Sequence, residues 1–424
     1  MRGQEFFDGC LMLANQADLI QASLDLPATP GVGLFAAAND QPLLLLAGAD
    51  LRSLVRRRLS DPRPEQRSRR TALRPLVARI WFRRTFSAFE TRCAYYHIAR
   101  AVYPDTYGDL LGRLEAWVLH VQPDDHYPVF SSLRADHLAT GRAWGPFATR
   151  QAAAACLQAL QDVFDLCRCP DRLGRPDRAA ACPYAQMGRC AAVCRDADAA
   201  EPYRRLIAEA IDLLDRPFAD VEQELRQQMH ACAARLEFER AARCKRQLKL
   251  VRQLLSPSCR WVLPLEQWYI FSFQTGPVAR TPGQPACRTV TPFLIHPAGI
   301  DQLEPARLDQ AQQTVQAISD HYHLRRLQQT GPEPVRPDAE LLAWVAHLLY
   351  RSPDPRALLL PARQAPDPSV LAEDIRRCLT TPAARRRRPL DSFSPSGQNS
   401  LGPDGKTDPP PPDTPAPNDK EYLP

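Results

Sequence analysis

The sequence predicts an α+β chain built from several units. Three observations carry this. Short apolar runs (GVGLFAA, PLLLLAGA, LVARIWFRR) alternate with amphipathic stretches over 27–135, five cysteines crowd into 28 residues at 167–194, and helical periodicity without proline runs from Phe218 to Leu255. The first pattern reads as a small α/β domain over 1–135 and the second as a cysteine-rich, metal-binding segment over 136–202. Next come a helical region over 203–257 and a smaller α+β region over 258–381, opening on the strand-like WVLPLEQWYIFSF. Helices are expected at Arg150–Phe164 and near Leu303–His323, Asp338–Tyr350 and Ser369–Leu379. From Pro382 the last 43 residues hold eleven prolines and the run Arg385–Arg388, a composition that predicts a disordered tail.

Composition narrows the class. The chain has 424 residues, 44% of them hydrophobic, enough for two or three domains with real cores. Its mean hydropathy is −0.37 and no apolar run approaches the roughly 18–20 residues of a membrane span, so no membrane association is expected. The start, MRGQEFFDGC, lacks the basic and apolar regions of a signal peptide, and a cytoplasmic location is expected. Thiols stay reduced there, so the thirteen cysteines read as metal ligands or small buried hydrophobes before disulfides.

Charge is unevenly spread. Net charge is only +6, but Leu51–Arg84 holds twelve arginines against Asp61 and Glu65. A solvated basic loop at Asp61–Thr71 accounts for part of this. A phosphate-contacting face accounts for Arg52, Arg56, Arg57 and Arg58, since guanidinium forks match phosphate oxygens. DNA is the expected ligand of such a face.

Cys169, Cys182, Cys190 and Cys194 follow the spacing C-x12-C-x7-C-x3-C. The last two thiols fit one side of a helical turn, and the longer spacings close a loop over them. Four thiolates suit zinc or an iron–sulfur cluster, and spacing alone leaves both open. In Phe218–Leu255 the apolar positions Val221, Leu225, Met229 and Cys232, then Leu236, Phe238, Ala241, Leu248, Val251 and Leu255, shift phase at Arg235–Phe238. That predicts two antiparallel helices joined by a tight turn. Such a hairpin packs either on its own protein or on a second hairpin, forming a four-helix bundle.

In order along the chain, LPATPGVGLF (Leu26–Phe35), LRSLVRRRL, PDDHYPVF, GRAWGPFATRQAA (Gly141–Ala153), VFDLCRC, CPYAQMGRCAAVC (Cys182–Cys194) and LRQQMHACAARLEFERAARCKRQL (Leu225–Leu248) resemble the N-terminal half of the UvrC family of bacterial excinuclease subunits. The resemblance implies a GIY-YIG nuclease fold at the start, a [4Fe–4S] cluster on the four cysteines with zinc as the alternative, and a UVR hairpin that docks on UvrB. The docking residues it implies are Leu225, Met229, Leu236, Phe238, Ala241 and Leu248.

The positions that carry nuclease chemistry in that family depart from it. The two tyrosines fall on Gly33 and Leu44, the arginine on Leu54 and the metal-binding glutamate on Tyr95. No catalytic residue is therefore expected at these degenerate positions, because the chemistry needs hydroxyl, cation and carboxylate. Arg52, Arg56 and Glu90 stand near enough in sequence to act as substitutes. The family's RNase H-like nuclease and helix-hairpin-helix motifs have no visible counterpart after Leu255, and Trp261, Trp268 and Trp344 read as core residues. The implied function is a repair protein that binds DNA and UvrB without cutting, as adaptor or regulator. A divergent active endonuclease, and a metal-stabilised UVR protein with no DNA role, are the alternatives.

Overall fold

The computed structural model describes residues 3–13, 23–60, 73–112, 114–173, 182–190, 192–195, 200–280, 283, 285–328, 335–351, 357–361 and 368–380. The basic loop at 61–71 and the tail from 382 lie outside them.

The first sheet is formed by β1 (Gly9–Met12), β2 (Gly31–Ala36), β3 (Pro42–Gly48) and β4 (Arg79–Arg84), in the order β1-β4-β2-β3 and antiparallel throughout. Alternate residues of a strand share a face. Phe35 and Ile80 pack with Val55 and Leu59 of helix α1 (Leu51–Leu59), while Val32, Leu34 and Leu45 pack with Cys93, Tyr96 and Ile98 of α2 (Ala88–Val102). Both faces are thus covered, which is why β2 is buried along its whole length. Asp50 caps α1 by accepting from Ser53 N, and Ser87 caps α2 by accepting from Glu90 N. A short helix, α3 (Tyr107–Leu111), follows.

A second sheet joins β5 (Trp117–Val121), β6 (Ser131–Arg134) and β7 (Arg142–Phe147) to a two-residue strand, β8 (Leu263–Pro264), in the order β6-β5-β7-β8. Strand pairing in this sheet crosses two of the expected boundaries. The division at 135/136 separates β5 from its partner β7, and the one at 257/258 separates β7 from β8. Against the sheet lies α4 (Arg150–Val163), capped by Thr149, and beyond it come the one-turn helix α5 (Pro183–Gln186), α6 (Ala200–Asp215), α7 (Phe218–Ala234) and α8 (Phe238–Leu254). Their shared core holds Trp144, Phe147, Leu160, Tyr203, Ile207, Leu214 and Val251.

The third sheet orders β11 (Gly299–Gln302), β10 (Cys287–His296), β9 (Ile270–Ala279) and β13 (Leu358–Pro361), with β12 (Ala306–Arg307) also pairing on β10. Helices α9 (Ala311–Gln328) and α11 (Pro368–Thr380) pack together and cover one side, where Phe271, Phe273, Val315, Ile318 and Ile375 meet. Leu342, Trp344 and Val345 of α10 (Ala339–Arg351) join the core of the first unit. Trp344 stacks on Tyr96, with ring centroids 5.6 Å apart. Trp261, Trp268 and Trp344 are all buried, so none is a platform for bases. Among the described residues no helix is long and apolar enough to cross a membrane.

Candidate functional site

The hairpin of α7 and α8 divides into a root and a tip. At the root, Phe218, Val221, Leu225, Leu248, Leu250, Val251 and Leu254 are buried in the core shared with α4 and α6. Arg252 and Arg226 both pair with Glu222, at 3.1 and 2.8 Å, and Arg243 reaches Glu209 of α6 at 2.8 Å. The root is fixed to its own protein.

The tip is not. Glu237 N donates to Cys232 O at 2.9 Å and Leu236 N to Ala233 O at 3.0 Å, the two bonds of a Schellman turn that closes α7. Leu236 occupies its left-handed position, with φ at 61°. Glycine or asparagine normally stands there, because a Cβ costs about 1–2 kcal/mol in that conformation. Leu236 is also 72% exposed and Phe238, first residue of α8, 66% exposed. A leucine placed against both backbone preference and hydration is what a contact surface, rather than a stable loop, requires.

The six residues expected to dock therefore separate. Leu236 and Phe238 are exposed at the tip, and Met229 and Ala241 are half-buried just behind it. Leu225 and Leu248 are corrected: they face inward, 7% and 4% exposed, and hold the root in the core. Helical periodicity treats both ends alike, so it had no means of telling root from tip.

The cysteine segment lies against α4 and α6. Cys169 precedes a short 3-10 turn, Cys182 precedes α5, and Cys194 sits in a second 3-10 turn at Val193–Arg195. Only the Cys194 end of the Cys190–Cys194 pair is helical. Burial pushes the Cys182 thiol up, but the backbone N–H groups of Ala185 and Tyr184, the Cys169 thiol and Arg172 outweigh it and hold the group below its ordinary value. Cys190 is raised by burial and by the neighbouring Cys182 and Cys194, against the Ala192 N–H. Cys167 is pushed up to about 11, mainly by burial. Arg168 lies over the Tyr184 ring at 5.1 Å and donates to Arg189 O at 2.7 Å, which ties the two ends of the segment together. Among the described residues no group of three or more cysteine, histidine or carboxylate side chains is arranged to hold a metal ion.

At the positions where the family resemblance puts the nuclease residues, Gly33 pairs with Leu46 and Phe35 with Leu44, which puts Gly33 and Leu44 on the α1 face of the first sheet. Leu54 approaches the same face at Gly48. Tyr95 packs instead on the opposite face with Val32, Leu34 and Leu45, and its burial pushes the hydroxyl up to about 12. The structure thus brings three of the four together. Of the expected substitutes, Arg52 donates to Leu26 O at 2.9 Å. Glu90 is 4% exposed, accepts from Phe86 N at 2.8 Å and from Gln302 at 3.3 Å, and burial raises its pKa. It is spent as a cap. On α1, Arg56 and Arg57 are exposed and Arg58 is half-buried.

The arrangement most distant from any sequence signal surrounds Asp301. His296 at the end of β10, His321 and Arg325 of α9 all converge on this carboxylate. Gln302 beside it reaches Arg83 and Glu90 of the first unit. These residues are up to 219 positions apart, and no local pattern announces them.

Comparison with known proteins agrees with this layout. Residues 116–213 match the family described as the UvrC/Cho excinuclease middle domain, and residues 223–254 match the UvrB/uvrC motif. The first match begins one residue before β5 and ends within α6. Among relatives, UvrABC system protein C of Syntrophotalea carbinolica is 35% identical over 135 residues, covering 32% of this chain and 22% of that protein. The protein of the same name from Moorella thermoacetica is 28% identical over 237 residues, 56% of this chain and 38% of that protein. The matched segments therefore span well under half of the relatives' own length. No solved structure matches the chain. The chain is similar to UvrC over about half its length, with a UvrC/Cho middle domain followed by a UVR motif.

Proposed function

We propose that this chain is a nucleotide-excision-repair protein that docks on UvrB and binds DNA without a working nuclease centre. The observation that carries the docking is the tip: two large apolar side chains in water, on a motif whose root is committed to its own core. Met229, Leu236, Phe238 and Ala241 form the contact, and a second hairpin laid across them completes a four-helix bundle. Capture of UvrB by the full chain, compared with Phe238→Ala, tests it.

The first sheet is proposed as a degenerate GIY-YIG domain. Gly33, Leu44, Leu54 and Tyr95 supply no cation, carboxylate or accessible hydroxyl, and Glu90 is committed to Phe86 and Gln302. Arg52, Arg56, Arg57 and Arg58 remain as a phosphate-contacting face of the same domain. Replacing Arg56, Arg57 and Arg58 with alanine should flatten the salt dependence of DNA binding, each lost phosphate contact lowering the slope by about 0.9. A fluorescence titration at several salt concentrations reads this, and an unchanged slope removes α1 from the interface.

Cys169, Cys182, Cys190 and Cys194 are proposed to hold a [4Fe–4S] cluster, with zinc as the second possibility. What supports this is the donor set: four cysteines in one short segment of the sequence, with the Cys182 thiol held below its ordinary value. Bound metal would link loops with little core of their own. Protein purified without oxygen should be brown, and Cys190→Ser should bleach it and lower its thermal stability. A colourless protein with one zinc per chain replaces the cluster by zinc. Metal-free protein of unchanged stability removes the site.

A further inference from the structure

We propose that the outward face of α8 is a second contact for DNA, gripping the sugar–phosphate backbone alongside the tip that docks the protein partner. The inference goes beyond the docking reading and holds whether or not UvrB is the partner.

The face is read from the helix itself. At 100° per residue, Phe238, Ala242, Lys245, Arg246, Lys249 and Gln253 fall on one side of α8, opposite the buried Leu248, Val251 and Leu254. Lys245, Arg246 and Lys249 are all exposed. Other cations of α8 have carboxylate partners: Arg240 with Glu237 at 3.0 Å, Arg243 with Glu209 at 2.8 Å and Arg252 with Glu222 at 3.1 Å. Among the described residues, Lys245, Arg246 and Lys249 have none. The chain has four lysines against fifty arginines, and two of those four stand here, one turn apart. Three cations without a carboxylate partner among the described residues thus share the exposed face of α8.

Shape and chemistry favour DNA over a protein for this surface. A protein interface centres on large apolar side chains with charge at its rim. Behind Phe238 the face carries Ala242 and Gln253 beside its cations, with Glu239 at its edge. Lys245 and Lys249 are separated by a rise of about 6 Å along the axis, within reach of neighbouring phosphates on one strand. Flexible ammonium groups suit sequence-independent backbone contact.

The test uses the full chain and a short labelled duplex. Replacing Lys245, Arg246 and Lys249 together with alanine should weaken DNA binding roughly tenfold at low salt and reduce the salt slope by about 2–3, at 0.9 per phosphate. The triple variant should melt like wild type, because none of the three is buried. Lys245→Arg with Lys249→Arg should restore affinity, and Ala242→Lys, which adds a cation to the same face, should tighten binding. UvrB capture by the alanine triple should match wild type, so failure of UvrB docking is distinguishable from failure of this proposal. Unchanged DNA affinity and slope in the alanine triple overturn it. So does loss of UvrB capture with DNA binding intact, which would assign the face to an acidic protein surface.

Discussion

Replacing Phe238 by alanine is expected to weaken UvrB capture by at least about tenfold while leaving the melting temperature of the protein unchanged. Phe238 is 66% exposed, so truncating it removes little that the folded chain uses. In a complex it is the aromatic anchor, and aromatic residues at the centre of an interface typically carry 2 kcal/mol or more. Glu237, a half-exposed neighbour paired to Arg240, sets orientation and on-rate more than affinity. The opposite pattern is expected one helix face away. Leu248 is 4% exposed in the root, and Leu248→Ala should cost about 2–5 kcal/mol of stability by opening a cavity. Wild-type protein that captures no UvrB at micromolar concentration ends the docking reading. A Phe238→Ala protein that melts lower shows that the tip packs on its own chain.

Elements written in local periodicity were legible beforehand. The phase shift at Arg235–Phe238 located the hairpin turn within a residue or two, because 3.6-residue repeats cannot pass through a left-handed residue in register. The expected helices match α4, α10 and α11 closely, while the one expected near Leu303–His323 begins eight residues before α9, across β12 and a 3-10 turn, and the α/β alternation agrees with the mixed strands and helices of the first unit. Pairing was not legible. Strands β5 and β7 have similar apolar runs, and nothing in either says that they are neighbours, so an expected boundary falls between them. The split between root and tip was likewise invisible, since it depends on where α4 and α6 end. The tip residues Leu236 and Phe238 do fall at the expected turn, and a leucine where a Schellman turn favours glycine marks the place further. Asp301 and its partners lie on three elements and required the fold itself.

The second large effect is expected at that carboxylate. Asp301 Oδ2 accepts from Arg325 Nε at 2.6 Å and from His321 Nε2 at 2.8 Å, and its Oδ1 accepts from Arg325 Nη2 at 2.9 Å. His296 Nδ1 accepts from Ala298 N, which leaves its Nε2 to carry the proton facing Asp301 at 3.1 Å. One side chain thereby ties β10, β11 and α9 together. Burial alone would raise the Asp301 pKa, but His296, Arg325 and His321 outweigh it and hold the carboxyl well below the usual carboxylate range. Asp301→Asn keeps the shape and removes the charge, leaving Arg325 without its counter-ion and the buried His296 N–H facing an amide. A loss of about 1.5–3 kcal/mol is expected from hydrogen bonds to a charged group. The pH dependence follows from the direction of the shift. A depressed folded-state pKa contributes stability above the unfolded value, near 3.9, and that contribution fades as pH falls through the lower folded value. The difference between wild type and Asp301→Asn should therefore be full at neutral pH and begin to shrink only below about pH 4. Urea midpoints measured for both proteins across acidic pH read this directly. Equal midpoints at pH 7 would mean that β10, β11 and α9 are held by their apolar contacts alone, with the ion cluster adding nothing to stability.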